Sequence, residues 1–561
     1  MDNITGIDEV SQLRRVLEDE IYKKFIITDV DENGLLNGIR FINDDRFNFS
    51  FDVMDVLGTK CSENPAMLYI SKNGGHRYFT FGEMMSMVSR AANYFVHLGI
   101  KRGDRVMLVL KRHYQFWVSI LALHKIGAIA IPATSQLQTA DLEYRFKFGG
   151  ISAIVSTCED NIPAESDEAS ANGEGPVIKV SVGGKIDGWH CFDEEYTSFD
   201  DKFERSADSP CGSDSMMMFF TSGTTGYPKI VEHDFRYGLS HFVTAKYWHG
   251  IQPGDMHMTV ADTGWGKAVW GMLYGQWLCG AVLCVYDFDR FSPTQMLSTI
   301  SDAQINTFCA PPTAYRMMIK EHPENYDLSS IRRATTAGEC LNPEVFTRFK
   351  EATGIEIMEG FGQTETPLII GTIIGMTPKP GSMGKPAPPF NVGLINNDGE
   401  PCKAGEEGEI ILRADENRPC GLFKRYYHND DLTETAWKGG VYHTGDIAKF
   451  DEDGYFWYVG RCDDVIKSSG YKIGPAEVEH VIMELPYVVE CAVSGEKDEI
   501  RGQIIKASIV LTKGTEPTEE LKTEIQSYVK SKTAPYKYPR KVCFMEELPK
   551  TISGKVIRSM L

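Results

Sequence analysis

Residues 216–233 read MMMFFTSGTTGYPKIVEH, and how that stretch is understood decides the rest of the chain. An apolar run of three methionines and two phenylalanines stops at a loop of Thr, Ser and Gly ending in Pro228-Lys229. Gly223 and Gly226 leave backbone N–H groups uncovered, and Thr221, Ser222, Thr224 and Thr225 add hydroxyl donors. Such a loop wraps phosphate oxygens, and Lys229 supplies a point charge beside them. It is not a Walker A loop, which needs four residues between its glycines and Ser or Thr after the lysine. Here two residues intervene and Ile230 follows the lysine. Taken alone, the loop also reads as a flexible surface turn.

Working outward, Thr80-x-x-Glu83 is a capping box that opens an amphipathic helix running to Leu98. DRVMLVL (104–110) reads as a buried strand, HYQFWVSILALHKIG (113–127) as a helix and AIAIPA (128–133) as the next strand. Strand, helix and strand at this spacing form a βαβ unit, which requires a parallel sheet. The alternation continues through CGAVLCVYDF, TFCAPP and IRRATTAGE, so residues 1–462 are expected to form a large α/β body of two such subdomains. Residues 160–175, rich in Ser, Glu and Ala, read as a solvated loop.

The character changes at GRCDDVIKSSGYKIGPAEVEHVIMELP (460–486). Pro475 opens a helix with Glu477 and Glu479 in its first turn, and Val478, Val481, Ile482 and Leu485 share one face. Strands at VVECAVSGE and QIIKASIVL, a helix around 518–531 and KVCFMEEL complete a compact α+β domain spanning 463–561.

Bulk properties set limits. A chain of 561 residues is too long for one core. A net charge of -20 argues against non-specific nucleic-acid binding, although a local basic site is compatible with it. Thirteen cysteines without a C-x-x-C pair give no zinc or redox framework. With an acidic start that lacks an apolar core, they predict a cytoplasmic location. The most apolar segment, Trp270 to Tyr286, is broken by three glycines and Gln276 and is expected to be buried rather than membrane-spanning.

FFTSGTTGYPKIVEH resembles the phosphate-loop signature of AMP-forming acyl-CoA synthetases in the acyl-adenylating enzyme superfamily. Further blocks follow in that family's order: TTAGECLNPE (335–344), EGFGQTET (359–366), GSMGKPAPPF (381–390), YHTGD (442–446), GRCDDVIKSSGYKIGPAEVE (460–479) and PKTISGKVIR (549–558). The resemblance covers most of the chain from about residue 50. It is nearest the medium-chain branch, judged by GYKIGPAEVE, IRGQIIKASIVL and TAPYKYPRKV.

That resemblance implies an α/β adenylation domain with a small mobile C-terminal domain, and ATP, Mg²⁺ and coenzyme A as cofactors. It also implies two half-reactions: an acid and ATP give acyl-adenylate and pyrophosphate, then the CoA thiol displaces AMP. By the same resemblance the 221–229 loop holds pyrophosphate, Thr364 bonds the α-phosphate and Glu365 helps hold Mg²⁺, a hard cation that prefers oxygen. Gly338, Glu339, Glu359, Gly360, Phe361 and Gln363 line the adenine side. Asp446 accepts from the ribose hydroxyls with support from Arg461. Lys555 is the catalytic lysine, Asp463 the hinge, and Gln136, Ser469, Gly470, Tyr471, Lys472, Arg501 and Lys530 meet CoA. Related synthetases are regulated at the matching lysine, which implies a lysine acetyltransferase and deacetylase as partners.

Acetyl-specific relatives carry a tryptophan two residues before the Thr-Glu pair, where this chain has Gly362. The glycine is expected to open acyl space worth ~0.8 kcal/mol per buried methylene, favouring short-to-medium or branched acids. Trp265 and Lys267 in ADTGWGKAVWG are expected to wall the same pocket, Lys267 snorkelling to solvent or pairing with a buried acid. The alternatives are an aryl-CoA ligase, an adenylating enzyme with a non-CoA acceptor, and a nucleotide-binding protein without catalysis.

Overall fold

The computed structural model describes residues 7–221, 228–414, 418–468, 471–498, 501–534, 536–550 and 556–561. The apolar run becomes the strand Ser215–Thr221, and Met216 to Phe219 are buried. It lies inside an eight-stranded sheet, which explains why its residues are apolar without alternation. One neighbour, Ile129–Pro132, runs parallel to it and the other, Lys229–Asp234, antiparallel. The parallel strands Arg105–Val109, Ala153–Thr157 and Ile178–Val182 extend the sheet. The expected helix forms at Gln115–Ile126 and stops at Gly127, whose φ of +83° is costly for any residue with a Cβ.

A second, nine-stranded sheet carries the later motifs. Its parallel centre runs through Ile357–Phe361, Arg333–Thr336, Thr307–Cys309, Met256–Thr259, Val282–Tyr286 and Pro65–Ile70. The Thr80–Glu83 capping box is formed reciprocally and starts the helix Phe81–His97. Trp270 to Tyr286 folds as short helices and a buried strand. Among the described residues no helix is long and apolar enough to cross a membrane.

Two features depart from the sequence reading. Residues 162–172 are a helix, not a loop; Ile162, Ser166 and Ala169 are buried at i, i+4 and i+7. After Ile162 the stripe continues in small residues that carry little hydropathy, so the pattern passed as solvated. The α/β body also carries a third sheet, antiparallel and four-stranded, from Asn391–Ile395 to Phe456–Arg461. Its strand Val441–Phe450 alternates in burial, as a sheet with one covered face requires.

The C-terminal unit has a core of its own, built from Ile466, Val478, Ile482, Val493, Ile509, Ile525 and Val529, with no buried residue from the body. Its helices Pro475–Met483 and Glu519–Lys532 pack together and cover a sheet that includes Val488–Asp498, Gly502–Leu511 and Lys541–Phe544.

Candidate active site

Thr221 stands opposite Lys229 on the antiparallel strand pair. Ser222, Gly223, Thr224, Thr225 and Gly226 lie outside the described residues, as do Ser469, Gly470 and Lys555. Lys229 Nζ lies 2.6 Å from Glu365 Oε1 and donates to the Tyr426 hydroxyl at 2.8 Å. That hydroxyl donates to the same carboxylate oxygen at 2.8 Å. Burial alone would raise the Glu365 pKa; the adjacent ammonium and the two hydrogen bonds outweigh it and hold the carboxyl below its ordinary range.

Four residues along the same strand, and so on the same face as Lys229, His233 places Nε2 2.7 Å from the Thr364 carbonyl oxygen. Burial lowers its pKa to about 4, so the ring is neutral at pH 7 and donates through Nε2. The Thr364-Glu365 turn is thereby fixed from the first sheet, although it belongs to the second.

Gln363 and Asp446 come together across the motifs. Gln363 Nε2 donates to Asp446 Oδ2 at 2.5 Å and to the Thr444 carbonyl at 2.8 Å, while its Oε1 accepts from the Tyr442 hydroxyl at 2.7 Å. Asp446 Oδ1 accepts from the Tyr458 hydroxyl at 2.9 Å, and Arg461 Nη1 lies 3.1 Å from Oδ2. The aspartate is 4% exposed, a buried carboxylate held by three donors from three positions.

The adjoining wall is Ile357–Phe361 with the loop after Thr336. Phe361 is half-buried, its ring centroid 6.2 Å from that of Tyr458. Gly338 has φ +99° and open space where a Cβ would stand, consistent with a slot at this point. Gly360 is needed for packing: a Cβ there would come within 2.7 Å of the Trp248 ring. Glu339 is exposed and accepts from Thr313 Oγ1 at 3.0 Å. Glu359 is buried and accepts from the Leu341 N–H at 3.2 Å, while its Oε2 has no partner among the described residues. Burial pushes this carboxyl up to about 8.

Two of the residues expected to wall an acyl pocket are placed differently from expectation. A Cβ on Gly362 would collide with the Trp270 indole and the Pro367 carbonyl. The volume that the missing side chain was expected to free is therefore filled from the helix Gly266–Gly271. Lys267 neither reaches a carboxylate nor snorkels; its Nζ donates to the Ala337 carbonyl at 2.9 Å, and burial lowers its pKa. Trp265 is half-buried at the start of the same helix.

The residues expected to meet CoA are dispersed. Gln136 is exposed on the body, and Lys530 is exposed with Nζ 5.7 Å from the Tyr538 ring. Arg501 accepts position from Asp498, whose Oδ1 takes its backbone N–H at 2.8 Å. Tyr471 and Lys472 lie on a short strand paired with Ile466–Ser468. Asp463 follows the strand Phe456–Arg461 of the third sheet.

Tyr426, Tyr442, Tyr458 and His233 were not anticipated as site residues, and Trp270 was anticipated only as part of the wall segment ADTGWGKAVWG. Only His233 had a usable signal, its even spacing from Lys229 on one strand; Tyr442 and Tyr458 are brought in by the third sheet, and Tyr426 by the edge strand Arg425–Tyr426 of the first.

Residues 57–427 match the AMP-binding enzyme family and residues 477–555 the AMP-binding enzyme C-terminal domain. The chain is similar to the acyl-coenzyme A synthetase ACSM3, mitochondrial, of Homo sapiens, at 40% identity over 526 residues covering 92% of this chain and 89% of that protein. It is also similar to ACSM4, mitochondrial, of Homo sapiens, at 39% identity over 528 residues covering 92% and 90%. A solved anthranilate CoA ligase, AuaEII with anthranoyl-AMP, superposes with a TM-score of 0.83 at 28% identity, covering 91% of this chain and 96% of that one. Both synthetases are named as mitochondrial, so the cytoplasmic expectation finds no support in them.

Proposed function

The chain belongs to the AMP-binding enzyme family and is an AMP-forming acyl-CoA synthetase, and we propose that it activates short-to-medium or branched carboxylic acids. The observation that carries this reading is the joined pair of networks: Lys229–Glu365 on one side of the 363–365 turn, and Gln363–Asp446–Arg461 on the other.

The acid's carboxylate attacks the α-phosphorus of ATP in line; an O–P bond forms and pyrophosphate leaves. Negative charge moves onto the leaving group, so cations and N–H donors there stabilise the transition state. Lys229 and the 221–226 loop would take the pyrophosphate, and the Thr364 hydroxyl the α-phosphate. Asp446 would accept from the ribose hydroxyls, with Arg461 and Tyr458 holding its charge and orientation. Glu365 fits a Mg²⁺ site because it stays anionic despite burial, and a bound Mg²⁺ would offset phosphate charge. Lys555 would bridge the carboxylate and the α-phosphate. In the second step the CoA sulfur attacks the acyl carbonyl, the C–O bond to AMP breaks, and AMP leaves. We place the domain boundary at 462/463, with Asp463 as the pivot. Ser469 to Lys472, Arg501, Lys530 and Gln136 would then serve CoA. Lys555 as a target of acetylation rests on its motif alone.

Trp270 supports the acid range, because an indole against Gly362 blocks straight extension on that side. The test is pyrophosphate release across acids from acetate to decanoate, with branched and aromatic members, with and without CoA. Turnover that needs CoA and peaks between C3 and C8 is expected. Preference for decanoate would sink the acid range, and release independent of CoA would point to another acceptor. A peak on aromatic acids would favour the second reading, an aryl-CoA ligase, in keeping with the solved neighbour that acts on anthranilate.

A further inference from the structure

Near the end of the chain, Lys550 and Val556 form an antiparallel bridge, and the Ile557 N–H donates to the Pro549 carbonyl at 2.8 Å. Two short legs therefore lie side by side, and residues 551–555 connect them in sequence. Each leg is pinned to the strand Val488–Asp498. Lys550 Nζ lies 2.6 Å from Glu490 Oε1 on one leg, and Arg558 Nε donates to the Val493 carbonyl at 3.1 Å on the other.

Arg558 does more than its counterpart. Its Nη2 lies 2.7 Å from Glu479 Oε1 on the helix Pro475–Met483, and its Nη1 3.3 Å from Asp464 Oδ2, next to the proposed pivot. Glu479 Oε1 also accepts the Val493 N–H at 2.8 Å, which closes the network on the strand. The side chains are a quarter exposed at Arg558, 16% at Glu479 and 28% at Asp464. Partly exposed pairs add little stability, so three contacts from one planar fork are better explained by geometry than by energy. The fork ties a helix, a strand and the first residues after the pivot to the leg that follows the proposed catalytic lysine.

We infer that Arg558 is a positioning residue for the adenylation half-reaction. It joins Asp464, next to the pivot, to the leg Val556–Arg558, so that a turn at Asp463 carries that leg together with the helix Pro475–Met483 and the strand Val488–Asp498. The inference rests on the reading of the chain as a two-step synthetase that uses Lys555 in the first step. The second step does not need that lysine in place, so the two steps should separate.

The test compares single-turnover pyrophosphate release with thioester formation from supplied acyl-adenylate and CoA. In Arg558→Gln the first rate falls by about 10- to 100-fold, the scale of a misplaced catalytic group, and the second is retained. Arg558→Lys recovers part of the loss, because the charge remains but the fork does not. Asp464→Asn removes one arm and gives a smaller loss of the same kind. Thioester formation requires the same C-terminal unit and so controls for its folding, alongside a thermal melt. Equal loss in both steps, or no loss in either, would overturn the inference. If the unaltered protein fails to release pyrophosphate with any acid, the functional reading falls and takes this inference with it.

Discussion

Asp446 receives hydrogen bonds from Gln363, Tyr458 and Arg461, whereas a buried ring nitrogen beside Trp270, on the proposed acyl side, goes unserved. His241, whose ring lies 5.9 Å from that of Trp270, leaves Nε2 without a partner among the described residues. Each unpaired buried group costs about 1–3 kcal/mol. The end proposed to meet ribose, the same in every turnover, is braced at Asp446 before any ligand arrives. The end proposed to meet the variable part of the acid tolerates an unpaired polar atom. On that proposal, preorganisation at Asp446 sits where the ligand never changes.

The sharpest way to break this contrast is Lys229→Met. It leaves Glu365 buried without its counter-ion, and the expected loss is about 3 kcal/mol of stability, read as a lower denaturant midpoint, with adenylation lost as well. An unchanged midpoint would mean the pair is not part of the brace. Next, Asp446→Asn should lower kcat/KM for ATP on the order of 100-fold through weakened hydrogen bonds, while KM for the acid barely moves. A parallel change in both constants would place Asp446 elsewhere in the mechanism. Trp270→Leu should shift the acid profile toward longer chains, each extra methylene then gaining roughly fourfold in kcat/KM. Gly362→Ala, which forces a side chain into the same contact, should lose stability without that shift. A profile that ignores Trp270 would sever the indole from the acyl pocket.

The smallest effect concerns Glu359, the exception at the nucleotide end. Its folded pKa, about 8, stands above the ordinary value of 4.5, so the folded state binds the proton more tightly than the unfolded one. Its contribution to stability is therefore fully present below about pH 4.5 and is lost as pH rises toward 8, with no further loss well above that. Between pH 7 and 8.5 the loss is about 1 kcal/mol, and Glu359→Gln should remove it. Thermal melts of both proteins at the two pH values decide this; equal pH dependence would show that Glu359 is already ionised in the fold.

How much of this was legible follows a physical line. Motif blocks are local, and those within the described residues sit on strands or just beside them: 359–361 on a strand, 363–365 just after it, Asp446 within the third sheet; the loop at 222–226 and residues 551–555 lie outside the described residues. The capping box is local too and formed as expected. The contact between Trp270 and Gly362 is not local. No periodicity in either segment encodes it, and a glycine read by itself suggested room where the fold had placed an indole. The helix at 162–172 was hidden for the opposite reason, since after Ile162 its buried stripe continues with Ser166 and Ala169, which carry little hydropathy.

The ion pair between Lys229 and Glu365 has a further consequence for how the site fills. On the proposed roles, the positive charge offered to phosphate already has a carboxylate before anything binds, and the carboxylate offered to a metal already has an ammonium. Loading would then be an exchange of partners, with Lys229 turning to the nucleotide and Glu365 left free to hold a cation. Either newcomer alone would strand one member of the pair in a buried place. The resting pair would make the pocket a gate with two keys, closed to the nucleotide or the metal arriving singly and open to the two together.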